Sequence, residues 1–331
     1  MSEVTVKFLR GFDEPGFGRR LWASLLRRRV PVFLTWEWQQ AWWESFGRGR
    51  LMLAAAARDG EVVALAPLFA ESGMVFFVGS GGSDYLDFVG DVSDPMVLAE
   101  ILDAVRSETP EFLGFRFYHV PEQSSTGACL QQAAGRLEMV CFDEGELPAP
   151  ALEFDDPQRV RDAACKKSLL RHESWFRHNG ALEVEHLQDG RSILPHLEEF
   201  FEQHISRWRN TLSPSLFHDQ SQRNFYRRLT ERAADSGWLR FTRLQWEGRS
   251  IAFHFGFSYQ GSYLWYKPCF AIDLARHSPG EVLLRQLLLK AAEEGVDVFD
   301  FGLGDEFFKS RFATCVNLVR TWGLYPKGGR A

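Results

Sequence analysis

The sequence lacks the motifs of several common enzyme classes. It contains no Gly-x-Ser-x-Gly elbow, no His-Glu-x-x-His pair and no Rossmann glycine fingerprint. A serine hydrolase, a zincin and a dinucleotide oxidoreductase therefore have no support. No Gly-Lys-Ser/Thr follows the glycine run at 79–82, which excludes a phosphate loop there.

Cysteine is scarce and unpatterned. The number of cysteines is odd, no Cys-x-x-Cys spacing occurs, and no histidine lies nearby in the order of a zinc site. The five are Cys129, Cys141, Cys165, Cys269 and Cys315. We expect free thiols, mostly buried, in a reducing compartment, and no bound metal.

Long apolar runs and an excess of basic residues are also missing. No stretch approaches the ~18 uninterrupted apolar residues of a transmembrane helix, and Met1-Ser2-Glu3 does not begin a signal peptide. The 38 Lys and Arg against 44 Asp and Glu give a formal charge of -6, so the overall field of a nucleic-acid binder is absent. These absences predict a cytoplasmic protein with no membrane span and no DNA partner, and they leave the oligomeric state open.

The chain does contain one pattern twice. Its 331 residues, 45% of them hydrophobic, suffice for about two domains at ~150 residues each. Each half contains three apolar runs joined by turn signals such as Asp59-Gly60, which predicts an antiparallel meander. The runs are Leu51–Ala57, Val62–Phe69 and Met74–Val78 in the first half, and Leu239–Trp246, Ile251–Ser258 and Tyr263–Lys267 in the second.

A helical pattern precedes each meander, and a helix and a short strand follow it. These elements are Trp36–Phe46, Met96–Ser107 and Phe112–Tyr118 in the first half, and Gln222–Ala234, Pro279–Glu294 and Val298–Phe301 in the second. The repetition predicts an α/β protein with mixed sheets, built from two similar domains.

The stretch between the halves has a different composition. Pro148, Pro150 and Pro157 indicate a linker, and residues 159–178 then form a helical pattern with six Lys or Arg against two acidic residues. We therefore predict an N-terminal domain at 1–150, a linker with a basic helix at 151–180, and a C-terminal domain at 181–331. The basic helix is either a solvated face or a phosphate-binding surface.

Two C-terminal motifs could carry chemistry. In His277-Ser278-Pro279-Gly280-Glu281 the serine fits a helix N-cap, the proline fits N1 and Glu281 completes a capping box. That structural interpretation stands beside a functional one, in which the free amides at the helix start bind an anion such as a coenzyme pyrophosphate.

The second motif is Asp300-Phe301-Gly302-Leu303-Gly304-Asp305-Glu306-Phe307-Phe308-Lys309, which directly follows a short strand. Asp300 needs a partner at the end of an apolar strand face, and the two glycines permit a close backbone approach. Either an ion pair ends the strand, or the segment faces the substrate and Lys309 stabilises charge on a carbonyl oxygen.

The first half offers a further polar segment. Ser83-Asp84-Tyr85-Leu86-Asp87 follows the glycine run and suits either a polar pocket wall or an ordinary turn. His254, in the middle strand of the second meander, is interpreted as a core histidine.

On these residues the sequence resembles the CelD-type, BioF2-like acetyltransferase domain proteins of the GNAT superfamily, which are related to the FemAB aminoacyltransferases. The likeness covers most of the chain, including Phe33 to Trp38, Ser83 to Asp87, Lys166 to Leu169 and the two C-terminal motifs. It implies tandem GNAT-like folds and transfer of an acyl group to an amine or a hydroxyl. It also implies that acyl-CoA pyrophosphate rests on Ser278, Pro279 and Gly280.

The chain departs from that family at two points. The usual Gln/Arg-x-x-Gly-x-Gly/Ala loop is missing, and Phe308-Lys309 replaces a Tyr-Lys pair whose lysine is thought to assist acyl transfer. Acyl-CoA is the expected donor, and aminoacyl-tRNA is the alternative known from FemAB relatives. A third possibility is an inactive protein of the same fold that binds polysaccharide.

The predicted site follows from the needs of acyl transfer. We predict Lys309 as the oxyanion donor and Asp300 or Asp305 as the group that orients the acceptor or relays its proton. Ser278, Pro279, Gly280 and Arg285 are predicted to bind the donor. Tyr85, Asp87, Trp265, Tyr266, Lys267 and Arg171 are predicted to bind the acceptor, which through the family is a small molecule or an envelope or exopolysaccharide precursor. We expect the site in the cleft between the halves.

Overall fold

The computed structural model of the chain describes residues 3–26, 29–211 and 213–328. Up to the middle of the chain the elements are β1 (Val4–Leu9), α1 (Arg19–Leu25), α2 (Trp36–Phe46), β2 (Arg50–Arg58), β3 (Glu61–Glu71), β4 (Met74–Phe77), β5 (Val89–Gly90), α3 (Pro95–Ser107), β6 (Gly114–Pro121), α4 (Thr126–Arg136) and β7 (Met139–Glu153).

The remaining elements follow in chain order. They are α5 (Pro157–Ala164), α6 (Lys167–Asn179), β8 (Leu182–Leu187), α7 (Gly190–Ile193), α8 (Leu197–Trp208), α9 (Gln220–Arg232), β9 (Leu239–Trp246), β10 (Arg249–Tyr259), β11 (Ser262–Phe270), α10 (Pro279–Glu293), β12 (Val298–Asp300), α11 (Phe307–Ser310) and β13 (Cys315–Pro326).

The chain forms two compact units. Unit 1 comprises residues 1–148 and 317–331, and unit 2 comprises residues 149–316. In unit 1 the strands lie in the order β1-β2-β3-β4-β6-β13-β7, and in unit 2 the end of β7 is followed by β12-β11-β10-β9-β8. Each unit therefore has a mixed sheet, as the sequence predicted.

Both predicted meanders are confirmed. β2, β3 and β4 pair antiparallel in unit 1, and β9, β10 and β11 do so in unit 2. The turns Asp59-Gly60, Glu247-Gly248 and Gln260-Gly261 all have both residues at positive φ, which matches the twist of a two-residue hairpin. In each unit the last meander strand then pairs parallel with the strand beyond the next helix, β4 with β6 and β11 with β12.

The helix between the parallel strands provides much of each core. Of the predicted apolar stripe on α10, Leu284, Leu287, Leu288 and Ala291 are all buried in the core of unit 2. α3 occupies the equivalent position in unit 1 and buries residues including Val97, Leu98, Ile101, Leu102 and Val105. Burial of these side chains explains why both helices form next to their sheets.

The basic segment differs from the predicted linker. It forms two helices, α5 and α6, which break at Cys165 and Lys166, where the backbone leaves the helical conformation. Leu169 and Phe176 lie seven residues apart on one face of α6 and are fully buried in the core of unit 2, with α10 in the same core. Residues 151–180 are thus an integral part of unit 2.

The C-terminal boundary also differs from the prediction. β13 pairs antiparallel with β6, from Val319 opposite Pro121 to Leu324 opposite Phe115, and so belongs to the sheet of unit 1. The predicted C-terminal domain at 181–331 therefore loses its last residues to the other unit. Such a long-range pairing leaves no local signal in the sequence.

Candidate functional site

Two parallel strands of unit 2 separate soon after they pair. β11 and β12 are in register only from Ser262 opposite Val298 to Leu264 opposite Asp300. β11 then continues to Phe270, whereas the chain turns away after Asp300. Within the described residues, the edge of β11 beyond Leu264 that faced β12 has no strand partner.

A bulge in β11 lies at the point of separation. Phe255 on β10 lies opposite Lys267 on β11, and Phe257 lies opposite Leu264. Between these pairs, one residue of β10 therefore faces two residues of β11. The extra residue is accommodated at Trp265 and Tyr266, two of the predicted acceptor-binding residues. A bulge bends the strand and redirects its side chains, which is common beside functional sites.

His254 fills the space behind the bulge. Its Nε2 accepts the Tyr266 N–H at 3.2 Å, and its ring stacks on Trp265 with centroids 5.4 Å apart. The imidazole is fully buried, and burial lowers its pKa to about 3, so the ring is neutral. The prediction of a core histidine fits this role, because the ring completes the hydrogen bonding of the bulged strand.

The start of α10 has an unusual backbone. Ser278 is the N-cap and Pro279 occupies the first turn, as predicted, but Ser278 is left-handed at φ 54 and its hydroxyl makes no capping hydrogen bond. The amides of Glu281 and Val282 bond to the Ser278 carbonyl, and Pro279 has no N–H. The amide of Gly280 is therefore the one N–H of this first turn without a backbone acceptor in the described chain.

Glu281 does not close the predicted capping box. Its Oε1 accepts from Arg311 Nη1 at 2.6 Å, and its Oε2 pairs with His172 Nδ1 at 3.0 Å. Arg311 Nη2 in turn donates to Ser168 Oγ at 2.8 Å. Burial alone would raise the pKa of Glu281, but these partners hold that pKa below its usual range. The carboxylate is therefore ionised and forms an ion pair with Arg311 beside the helix start.

This network contains residues that the sequence analysis did not select. His172 and Ser168 lie on α6 and Arg311 follows α11, so three separate segments meet at the first turn of α10. The sequence signals were the presence of Lys166-Lys167-Ser168-Leu169 within the family likeness and the cation Arg311 two residues after Lys309. On the neighbouring turn, Trp175 stacks on His277 with ring centroids 3.4 Å apart.

Two predicted binding arginines occupy different settings. Arg285 Nη1 donates to Glu173 Oε2, and Glu173 also accepts from Arg177 Nε at 2.8 Å, so Arg285 ties α10 to α6. Arg171 is exposed and lies beside His172, with Nη2 3.4 Å from Nε2. Arg285 is thus committed to a buried ion pair, whereas Arg171 is accessible to a ligand.

The loop after β12 is held from inside the protein. Asp300 Oδ1 accepts the Gly302 N–H at 2.8 Å, and both Gly302 and Gly304 have positive φ. Asp305 is exposed on the same loop. The sequence analysis expected a partner for Asp300, and the Gly302 amide of the same loop is one such partner.

Lys309 is buried over this loop. Its Nζ donates to the Leu303 carbonyl at 2.6 Å and pairs with Glu306 Oε2 at 2.7 Å, with the Gly302 and Gly304 carbonyls at 3.4 and 3.5 Å. Only 3% of the residue is exposed. All three ammonium protons thus have acceptors in this conformation, and Lys309 acts here as the cation that closes the loop.

The remaining predicted residues fall in both units. Trp265 is buried in the core of unit 2, while Lys267 lies 4.1 Å from the centre of the Tyr266 ring. Tyr85 and Asp87 belong to unit 1, where Asp87 accepts the hydroxyls of Ser124 and Thr126 at 2.5 Å each. Burial raises the pKa of Asp87. These bonds give Asp87 a structural role, because they tie its segment to the start of α4.

Part of the chain matches a known domain family. Residues 163–310 match the model of the acetyltransferase (GNAT) domain. No curated protein matches the chain in sequence. Within the described residues, no helix is long and apolar enough to cross a membrane, and no three His, Cys, Asp or Glu side chains could together hold a metal.

Solved structures share the fold over nearly the whole chain. FemX has a TM-score of 0.63 at 10% identity over 92% of this chain and 94% of its own. L-PGS from Bacillus licheniformis has 0.55 at 14% over 93% and 95%, and a tandem GNAT protein from the clavulanic acid biosynthesis pathway has 0.52 at 12% over 97% and 98%. The predicted FemAB-like fold class, with two GNAT-like folds in tandem, is confirmed.

Proposed function

We propose that the protein is an acyltransferase whose GNAT domain binds acyl-CoA and transfers the acyl group to an amine or a hydroxyl. The observation that carries the proposal is the separation of β11 from β12 immediately beside a bulge, within the segment that matches the GNAT domain. An open strand edge can hold the amide-rich arm of a coenzyme by main-chain hydrogen bonds.

The phosphate end of the donor is proposed to lie at the start of α10. Gly280 offers an amide, Ser278 offers an unused hydroxyl, and a Cβ at Gly280 would come within 3.0 Å of the Phe270 ring. Glu281 does not repel a phosphate there, because its charge is balanced by the ion pair with Arg311. A 3₁₀ helix at Ile272–His277 replaces the glycine loop of the family, so side chains must supply more of the binding.

The acyl transfer itself requires a deprotonated acceptor and a place for its proton. The acceptor nitrogen or oxygen attacks the thioester carbon, the carbon–sulfur bond breaks, and the acceptor proton ends on the thiolate. Asp305 is proposed to relay that proton, because Asp300 holds the loop through the Gly302 amide. Lys309 is proposed to act as a positioning residue, since its protons serve the loop carbonyls.

The proposal is tested by donor binding and by coenzyme release. We expect acetyl-CoA or a longer acyl-CoA to raise the melting temperature in a concentration-dependent way, by RT ln(1 + [L]/Kd) in free energy. Chromatography should detect free CoA formed only when an amine or hydroxyl acceptor is present. Absence of both stabilisation and CoA release with all acyl-CoAs would refute acyl-CoA as the donor, and stabilisation without release would favour the inactive binding protein.

One observation favours the second donor class, aminoacyl-tRNA. Lys167, Arg171 and His178 are exposed at a spacing of four and seven residues along α6, which places them on one solvent face. A polyanion bound there would dissociate steeply with salt. Filter binding of aminoacyl-tRNA at 50 and 200 mM KCl, with wild type and Lys167→Gln/Arg171→Gln, separates this donor from acyl-CoA.

A further inference from the structure

Arg207 is held by aromatic rings at the end of α8. Its guanidinium carbon lies 4.5 Å from the centre of the Phe270 ring on β11 and 5.0 Å from that of Trp208. Such contacts use the face of the guanidinium group and leave the N–H donors along its edge unused. Within the described residues, those donors have no hydrogen-bond acceptor and no carboxylate in ion-pair range.

Other part-buried arginines of unit 2 are paired differently. Arg240 is bound to Glu294, Arg243 to Glu185, Arg285 to Glu173 and Arg223 to Glu198 and Glu202. The side chains of these four arginines are 11–17% exposed. A cation removed from water is normally matched by a nearby anion. Arg207 breaks this pattern, and burial lowers its pKa.

A second cation, Lys267, acts on His204 together with Arg207. Burial, followed by the charges of Lys267 and Arg207, lowers the pKa of His204 to about 3. His204 is therefore neutral and donates or accepts through Nδ1 with Ser215 Oγ at 2.8 Å. Lys267 lies on β11 beyond the bulge, on the strand that borders the proposed donor site.

We propose that Arg207, together with Lys267, binds an anionic group of the acyl acceptor, a carboxylate or a phosphate monoester. The aromatic rings fix the plane of the guanidinium, and its free edge forms a two-pronged donor that fits two oxygens of such a group. The acceptor would then be anchored beside β11 with its amine or hydroxyl directed along the strand. This inference rests on the proposed acyl transfer.

The test compares acceptors that differ only in the anionic group. Suitable pairs are 5-aminopentanoate with 5-aminopentanamide, and glucosamine 6-phosphate with glucosamine. In the first pair, four carbons separate the amine from the group that differs, so the reactivity of the amine is nearly the same in both compounds. We expect the wild type to use one of the anionic members at least tenfold better in kcat/KM. A preference within the first pair would identify the anionic group as a carboxylate, and a preference within the second would identify it as a phosphate. Arg207→Gln should lower that preference about ten- to a hundredfold, the range of lost charge-assisted hydrogen bonds.

Two controls separate a binding role from a packing role. Arg209→Gln removes the same charge from an exposed position two residues away and should leave the preference unchanged. Arg207→Lys keeps the charge but lacks the two-pronged geometry, so it should retain only part of the preference for the anionic acceptor. An equal loss for charged and neutral acceptors in Arg207→Gln, or no preference in the wild type, would overturn the proposal.

A binding measurement tests the anion site without catalysis. Calorimetric titration with 5-aminopentanoate and with glucosamine 6-phosphate should show at least one of them binding the wild type more than tenfold better than Arg207→Gln. If that difference is found while no acyl donor supports transfer, the anion site stands and the proposed activity fails. If transfer occurs but neither anionic acceptor distinguishes the two proteins, the activity stands and the anion site fails.

Discussion

Replacing Lys309 by methionine tests whether this buried ammonium holds the loop at 302–304. Methionine preserves the apolar stem and removes the charge. The bond to the Leu303 carbonyl, 2.6 Å long and buried, should be worth about 1.5–3 kcal/mol as a charge-assisted bond. The pair with Glu306, whose side chain is 58% exposed, contributes only about 0–1 kcal/mol.

These contributions together predict a loss of about 2–4 kcal/mol in the free energy of unfolding of K309M. At about 2–4 °C per kcal/mol for a unit of this size, the melting temperature should fall by roughly 4–16 °C. Calorimetry of K309M beside E306Q measures the effect, and E306Q should remain within about 4 °C of wild type. A K309M melting temperature within 1 °C of wild type would refute the loop-closing role.

The same variant also separates the two roles considered for Lys309. An oxyanion donor predicts that kcat falls about ten- to a thousandfold while the melting temperature changes little. A positioning residue predicts that stability and kcat fall together. Measuring both quantities on one preparation therefore distinguishes the sequence-based assignment from the one supported by the contacts.

Two further predictions concern the centre of the unit 2 sheet. Gly256→Ala should lower the free energy of unfolding by about 2–4 kcal/mol, because its Cβ would overlap the His254 ring and the Leu264 carbonyl oxygen. In the control Gly135→Ala the new Cβ has no atom within 4 Å, and the free energy of unfolding should rise by about 0.5–1 kcal/mol. Thermal unfolding of both variants measures the difference. Burial lowers the pKa of His254 and His204 to about 3, so only the unfolded chain takes up their protons as the pH falls below about 6.5. The free energy of unfolding should then fall by up to about 1.4 kcal/mol per pH unit for each histidine, and urea denaturation of His254→Gln at pH 7, 6 and 5 should show a shallower slope; an unchanged slope would contradict this account.

Much of the fold could be predicted because its signals are local. Each hairpin turn is set by two adjacent residues, as in Glu247-Gly248, and β9 has the bounds that its apolar run predicted. The stripe of α10 repeats every three or four residues and follows a proline. Periodicity over so short a distance can be read from the sequence alone.

The candidate site was less predictable because its partners are far apart along the chain. Glu281 satisfies the spacing of a capping box, yet it pairs with Arg311, 30 positions later, and with His172, 109 positions earlier. Charged residues near a helix start have several possible partners, and tertiary packing chooses among them. On α6 the many charged residues led to the prediction of a linker with a basic helix, although Leu169 and Phe176 form a buried apolar face.

The position of β13 has a consequence for synthesis on the ribosome. This strand inserts between β6 and β7, although both are made long before it. Gln123 and Asn317, whose side chains bond in unit 1, are 194 positions apart. At ~5–20 residues per second, β6 therefore waits roughly 10–40 s with one edge uncovered. During that interval the uncovered edge of β6 is exposed to pairing with a wrong strand.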